Sequence, residues 1–316
     1  MGVRELYEEF PFPVEGHDYD FLGKYVFPHA PLRPARVLDA GCGTGHMAVE
    51  LAARLPSTQV VGVDFSEASL ANARRLAQGR GISNVDFRHQ DLMEAFRPGE
   101  RYDFAISIGC LHHIPDPALA LRRIRAVLSG GALLIVGVYG KYGRIETEMR
   151  RELLNLLREV TGRTTAELIP VCRRILSEPS LRENSLYKIN TLLMPLTDPR
   201  RFASLIKRRV FRRGRAGGAD RVPGDISVAD QYMHPFVLNW TAGEWLRAIE
   251  SAGLRIERFI YEPAAPGICI PWDAMARIRD PGLRSLLDAM SPNKRYEALE
   301  LIFRPSMHMV ACTPSA

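Results

Sequence analysis

Residues 37–45 read VLDAGCGTG, an apolar run that ends in an acid and passes into a turn with glycine at every second position, Gly41, Gly43 and Gly45. A chain leaving a buried parallel strand must turn sharply into a helix, and glycine lets its backbone approach a ligand that a Cβ would hold off. The stretch therefore predicts a nucleoside-binding loop between a first strand and a first helix. The dinucleotide fingerprint places its third glycine one position later. Here that position is His46, which argues against a pyrophosphate and so against a dehydrogenase. Cys42, inside the turn, reads as a small filler rather than a nucleophile.

Working outward, QVVGVD at 59–64 ends in Asp64, 19 residues after Gly45, near the ~20 expected of a ribose-binding carboxylate. NVDFRHQD at 84–91 ends in Asp91, placed to accept from an exocyclic adenine amine, and YDFAISIG at 102–109 leads into LHHIPDP. An acid at a strand end can also cap the next helix. Asp39, Asp64 and Asp91 in one register favour a ligand over three separate caps.

Taken in order, DAGCGTG at 39–45, VVGVDFS at 60–66, QDL at 90–92 and SIGCLHHIPDP at 107–117 resemble the class I S-adenosylmethionine-dependent methyltransferases of the bacterial small-molecule type. The resemblance runs from about Arg36 to Val138, less than half of the chain. It implies an α/β fold, a Rossmann-like doubly wound seven-stranded sheet whose last strand is antiparallel. S-adenosylmethionine is the implied cofactor and S-adenosylhomocysteine the product. By the same likeness Gly41, Gly43 and Gly45 lie beside the methionine part, with Asp39 near its amino group. Asp64 falls to the ribose, Asp91 and Leu92 to the adenine, Phe65 packs on the ring and Ile108 lines the pocket.

The rest of the sequence bounds the class. A chain of 316 residues, 46% apolar, can bury a sizeable core. Its five cysteines, Cys42, Cys110, Cys172, Cys269 and Cys312, are scattered and never in a C-x-x-C pair, which points to a reducing compartment and not to a zinc site. No His/Asp/Glu cluster shows ligand spacing on one element, so no metal is expected. The opening MGVRELYEEF carries acids where a signal peptide would be apolar, and no segment is long enough to span a bilayer, so a cytoplasmic protein is expected. Much of the net charge of +6 sits in KRRVFRRGR at 207–215. That run is either a solvated helix end or the footprint of an anionic partner, and without an RNA-binding signature it weighs against nucleic acid.

Punctuation divides the chain into a lid or packing arm at 1–34 and a cofactor-binding core at 35–139. A helical insertion at 140–240, broken by prolines, forms an acceptor or lid region, and 241–316 completes the sheet around a helical excursion at 262–305. Ser66 and Asp116, the latter followed by Pro117, read as helix N-caps, Ser129, Gly130 and Gly131 as a helix end, and TAGE at 241–244 as a capping box. Trp240 and Trp245, flanking that helix start, should face different directions and pack in the core. The excursions also offer surfaces for a homodimer.

Methyl transfer to oxygen, nitrogen or activated carbon needs a positioned nucleophile and, where required, a base. His113 or His112, just after the fourth strand, is the first candidate base, and His234, with Asp230 four residues earlier, the second. VYGKYGR at 138–144 and DQYMHP at 230–235 resemble segments of a bacterial subgroup of the family, which marks Tyr139, Tyr142, Asp230 and His234 for the acceptor pocket. The leading expectation is a methyltransferase acting on a small, specialised-metabolite acceptor. Its rivals are a macromolecular acceptor, RNA or a carrier-bound or ribosomal peptide, and a protein that binds S-adenosylmethionine without methylating.

Overall fold

The strands β1 (Arg36–Ala40) and β2 (Gln59–Asp64) are buried along almost their whole length, as parallel strands covered by helices on both faces must be. The computed structural model describes residues 2–13, 26, 27, 31, 34–177, 225–260, 275 and 278–315. Five further strands complete the sheet: β3 (Val85–His89), β4 (Tyr102–Ile108), β5 (Leu128–Tyr139), β6 (Leu254–Ile260) and β7 (Met307–Pro314). Their spatial order is β3-β2-β1-β4-β5-β7-β6. β7 runs antiparallel between β5 and β6, and the pairs from β3 to β5 are parallel. This is the Rossmann-like sheet expected from the motifs. Winding reverses between β1 and β4, which makes their C-terminal ends the switch point where such sheets bind ligands.

Alternating residues divide the core into two layers. Val37, Val60, Phe104 and Ile106 face α2 (His46–Arg54) and α3 (Glu67–Gly79), burying Val49, Leu51 and Leu70. Leu38, Val61, Ala105 and Leu134 face α4 (Pro117–Ala126) and a helix at Ala242–Ser251, burying Leu121, Ile124, Trp245 and Ile249. The caps form as expected. The Ser66 hydroxyl accepts from the Ser69 amide at 3.1 Å and Asp116 from the Leu119 amide at 2.8 Å. Thr241 accepts from the Glu244 amide at 3.3 Å while Glu244 accepts from the Thr241 amide at 2.9 Å.

Two local readings are corrected. Ser129, Gly130 and Gly131 do not end a helix but belong to β5, in the register shift between Tyr102↔Leu128 and Phe104↔Leu133. Glycines there form a bulge, which also needs small flexible residues. Trp240 and Trp245 do not diverge: their rings lie 5.6 Å apart, because Trp240 precedes the cap and is outside the helical register. Trp245 is core, as expected.

Residues 1–150 with 234–316 form one compact unit and 151–233 a second. The first also holds α1 (Val3–Glu9). The second receives the end of α5 (Ile145–Thr161) and contains α6 (Thr165–Ser177) and α7 (Asp225–Tyr232), with Arg173 and Asp225 paired at 2.8 Å. In the first unit the helix at Ala242–Ser251 is α8, followed by α9 (Pro281–Asp288) and α10 (Pro292–Phe303). The basic segment 207–215 and residues 261–274 of the excursion lie outside the described residues.

Candidate active site

At the switch point Gly41, Gly43 and Gly45 hold φ of +81°, +53° and +79°, a left-handed path that side chains resist. The loop is pinned from below. The amides of Gly41 and Cys42 donate to the Val63 carbonyl at 2.8 and 2.9 Å. Asp64 accepts from the Gly43 amide at 2.9 Å and the Ser66 amide at 3.0 Å. From above, the Thr44 amide donates to the Phe12 carbonyl at 3.1 Å and its hydroxyl to the Pro13 carbonyl at 2.6 Å. A Cβ on Gly41 would come 2.3 Å from Cys110 Sγ, so the segment after β4 seats directly on the turn.

Three acids converge there. Asp39 is fully buried, and neither oxygen has a donor at good hydrogen-bond geometry. Desolvation first, and then the charge of Asp64, push its carboxyl up to about 7, against the pull of the Ala48 amide. Burial also raises Asp64, opposed by the amides of Ser66, Gly43 and Phe65. Burial, then the charges of Asp64, Asp39 and Asp91, push the Cys110 thiol up. Asp91 is half-buried and accepts from the Met93 amide at 2.9 Å, while Leu92 and Ile108 are buried walls. Phe65 lies under α1, with the Tyr7 ring 6.2 Å and the Arg4 guanidinium 5.6 Å from its ring.

A second constellation begins two residues past Cys110, where Leu111–His113 form a 3₁₀ turn. The His112 ring stacks on Tyr139 at 3.6 Å, and the His113 ring on His234 at 3.6 Å. Tyr7 rests 5.5 Å from His234 and 6.2 Å from His113, and the Arg144 guanidinium lies 3.5 Å over Tyr139. Burial, then the charges of Arg144 and His234, hold the His112 imidazole far below its ordinary pKa. Burial, then His112 and His234, do the same for His113 against the Phe236 carbonyl. That carbonyl is 3.2 Å from His113 Nδ1. A carbonyl only accepts, so Nδ1 carries the proton and Nε2 the basic lone pair. His234 has the other tautomer, because its Nδ1 accepts from the Phe236 amide at 3.2 Å.

The segment that brings His234 and Phe236 here is tied at several points. The Leu238 amide donates to the His112 carbonyl at 2.8 Å and the Trp240 amide to the Tyr139 carbonyl at 3.0 Å. Behind it, buried His308 places Nε2 3.0 Å from Glu300 and 3.1 Å from the Trp240 carbonyl, with Nδ1 3.0 Å from the Tyr296 hydroxyl. Glu300 accepts from the Ala242 amide at 2.8 Å, at the first turn of α8.

His113 and His234 are thus brought together. Tyr142 is half-buried, and among the described residues the tyrosines on the histidine cluster are Tyr7 and Tyr139. Asp230 lies in α7, in the second unit. Tyr7 and Arg144 carried no motif of their own. Arg144 closes the tyrosine-rich YGKYGR stretch, whose side-chain directions a sequence does not reveal.

A family model described as "Methyltransferase domain" matches residues 33–173. PKMT2 of Rickettsia typhi, solved in complex with AdoHcy, shares the fold, with a TM-score of 0.63 over 89% of this chain and 48% of that one at 16% identity. Residues 33–173 are thus a methyltransferase domain, set in the sheet and carrying the motifs of the class I S-adenosylmethionine-dependent type. This methyltransferase is 38% identical over 101 residues to a ubiquinone biosynthesis O-methyltransferase of Neisseria meningitidis, 31% of this chain and 41% of that protein. An uncharacterised Synechococcus protein is 27% identical over 321 residues, 96% of this chain and 68% of its own. The chain thus spans less than half the length of both the Rickettsia protein and the Neisseria enzyme.

The cradle fits this cofactor. S-adenosylmethionine carries a sulfonium and an ammonium, and the methyltransferase has buried, uncompensated carboxylate at Asp39 with Asp64 beside it. The same charges would repel a pyrophosphate. Among the described residues no helix is long and apolar enough to cross a membrane, and no group of three or more His, Cys, Asp or Glu could hold a metal ion.

Proposed function

We propose that this methyltransferase methylates a hydroxyl oxygen of a small-molecule acceptor, with His113 as the general base. The observation that carries the reading is the buried His113, its Nδ1–H directed at the Phe236 carbonyl and its Nε2 lone pair without a partner. The likeness to an O-methyltransferase of ubiquinone biosynthesis supports oxygen as the nucleophile.

S-adenosylmethionine supplies a methyl group already activated on a sulfonium, so the protein need not generate the electrophile. In this reading the Asp39 carboxylate receives the ammonium, the turn at Gly41, Gly43 and Gly45 admits the methionine part, and Asp64 takes the ribose hydroxyls. Asp91 and Leu92 border the adenine, Phe65 packs on its ring, and Ile108 closes the pocket wall. His113 Nε2 removes the acceptor's proton, and the Phe236 carbonyl stabilises the imidazolium through Nδ1–H. His234, stacked on His113, fixes the plane of the ring. Tyr7 and Tyr139 give the acceptor aromatic contact, and Tyr142 is the candidate to hydrogen-bond it. A positioned base contributes about 10²- to 10⁴-fold, and holding the hydroxyl in line about 7 to 11 kcal/mol in favourable cases.

The test is transfer of labelled methyl from S-adenosylmethionine into a cell extract of the producing organism, fractionated by size and treated in parallel with nuclease and protease. Label in the small, resistant fraction supports the reading. Label lost with nuclease or protease overturns it for a macromolecular acceptor and turns attention to residues 207–215. No label in any fraction overturns methylation itself.

A further inference from the structure

The YGKYGR turn after β5 is shaped by its glycines. A Cβ on Gly140 would come 2.4 Å from the Pro305 carbonyl oxygen, and one on Gly143 2.3 Å from the Pro305 carbonyl carbon. Only glycine allows this approach, and it sets Arg144 at the foot of α5 with its guanidinium flat on Tyr139, 3.5 Å from the ring centre. Arg144 is 9% exposed, and neither Nε nor Nη2 has a hydrogen-bond partner. A guanidinium stays charged at every accessible pH. A buried charge with orphaned donors is costly unless a counter-charge meets it. Nε–H and Nη2–H point the same way and form the side-on edge of the fork, the edge that a carboxylate grips with two parallel hydrogen bonds. The Arg144 charge also reaches the histidine cluster, acting after burial to hold His112 neutral.

We infer that Arg144 is the receptor for a carboxylate on the acceptor, so that the substrates are small hydroxy acids bearing both the hydroxyl to be methylated and an anionic group. This rests on the acceptor site proposed above. The hydroxyl loses its proton to His113 Nε2 and its oxygen bonds the methyl carbon as the C–S bond breaks. The carboxylate at Arg144 is unchanged, and the products are a methyl ether, S-adenosylhomocysteine and a proton. A carboxylate at Arg144 also offsets the positive charge that His113 gains in that step.

The experiment measures binding of 3- and 4-hydroxybenzoate and of their amides to the protein saturated with S-adenosylhomocysteine, for wild type, Arg144→Gln and Arg144→Lys. S-adenosylmethionine affinity and methyl transfer are followed in parallel. The acids should bind about tenfold or more tighter than the amides, the range of a charge-assisted bidentate pair. Arg144→Gln should erase that preference, Arg144→Lys should keep a part of it, and cofactor affinity should stay unchanged in both. Equal binding of acid and amide by wild type, no binding of either, or a preference that survives Arg144→Gln would overturn the inference. A parallel loss of cofactor affinity would overturn it too, by assigning the arginine to the cofactor's own carboxylate. If Arg144→Gln does not fold, the wild-type ratio and the lysine variant still decide. Methylation of acids and amides alike sinks the inference and leaves hydroxyl methylation standing. Arginine-dependent acid binding without methylation of any hydroxyl does the reverse.

Discussion

The cofactor cradle and the histidine cluster adjoin through the residues after β4, yet they are built in opposite ways. The cradle is mostly backbone: a left-handed glycine path and amides that hold the acids at the ends of β1 and β2. The cluster is made of side chains from separate segments, Tyr7, His112, His113, Tyr139, Arg144 and His234, and burial keeps the imidazoles of His112 and His113 neutral. Their electrostatics oppose as well. One region has buried carboxylate in want of a cation, the other a buried guanidinium in want of an anion. The difference teaches that buried charge left uncompensated by the fold is what suggests the ligand proposed for each half.

The sharpest way to separate the two regions is His113→Gln. It should lower kcat by about 10²- to 10⁴-fold and leave S-adenosylmethionine affinity unchanged in a calorimetric titration; an equal loss of affinity would mean that the regions are not independent. Because burial holds the His113 imidazole low, wild-type kcat at saturating S-adenosylmethionine should stay flat as pH falls through the ordinary imidazole range of about 6.5 and drop only below it. The matching stability contribution is full above that range and lost as pH falls.

Asp64→Ala attacks the other side. It removes charge-assisted bonds to the Gly43 and Ser66 amides, and at about 1.5–3 kcal/mol for such a bond it should weaken cofactor binding by roughly 100-fold. The fold and the histidine resonances in an NMR spectrum should persist.

A subtler break uses pH. With its carboxyl near 7 in the free protein, Asp39 must shed a proton to meet an ammonium. Cofactor affinity should therefore fall about tenfold per pH unit below that value, with proton release visible as a buffer-dependent binding heat. Asp39→Asn should flatten the dependence. In the free protein the raised pKa stabilises the fold fully below 3.8, and this contribution is lost as pH rises through about 7.

The smallest effect belongs to Glu300→Gln, which keeps the shape of the His308 contact but weakens the bond from the Ala242 amide. A loss of roughly 1–2 kcal/mol should appear as a melting temperature lower by a few degrees, with kcat reduced severalfold and cofactor affinity intact. A change confined to cofactor affinity would contradict the link from His308 to the segment carrying His234.

Much of the first region was legible in the order of the residues. Glycine spacing, strand-end acids and the caps at Ser66, Asp116 and Thr241 are local matters, set by backbone conformation and by hydrogen bonds within a few residues. Gly130 and Gly131 misled because a bulge and a helix end call for the same residue, and Trp240 because helical spacing was applied outside the helix. Tyr139 and Arg144 could not be ranked above Tyr142, since the close approach of Pro305 sets how that turn is seated.

The sequence by itself determined the alternating strands and helices of the core, their caps and the glycine turn with its strand-end acids, because each depends on neighbours along the chain. Only the tertiary structure decided which histidines meet, which tautomer His113 holds, and that Arg144 is buried with Nε and Nη2 unbonded. Those properties arise from desolvation and from contacts among segments far apart in sequence, and no local pattern encodes them.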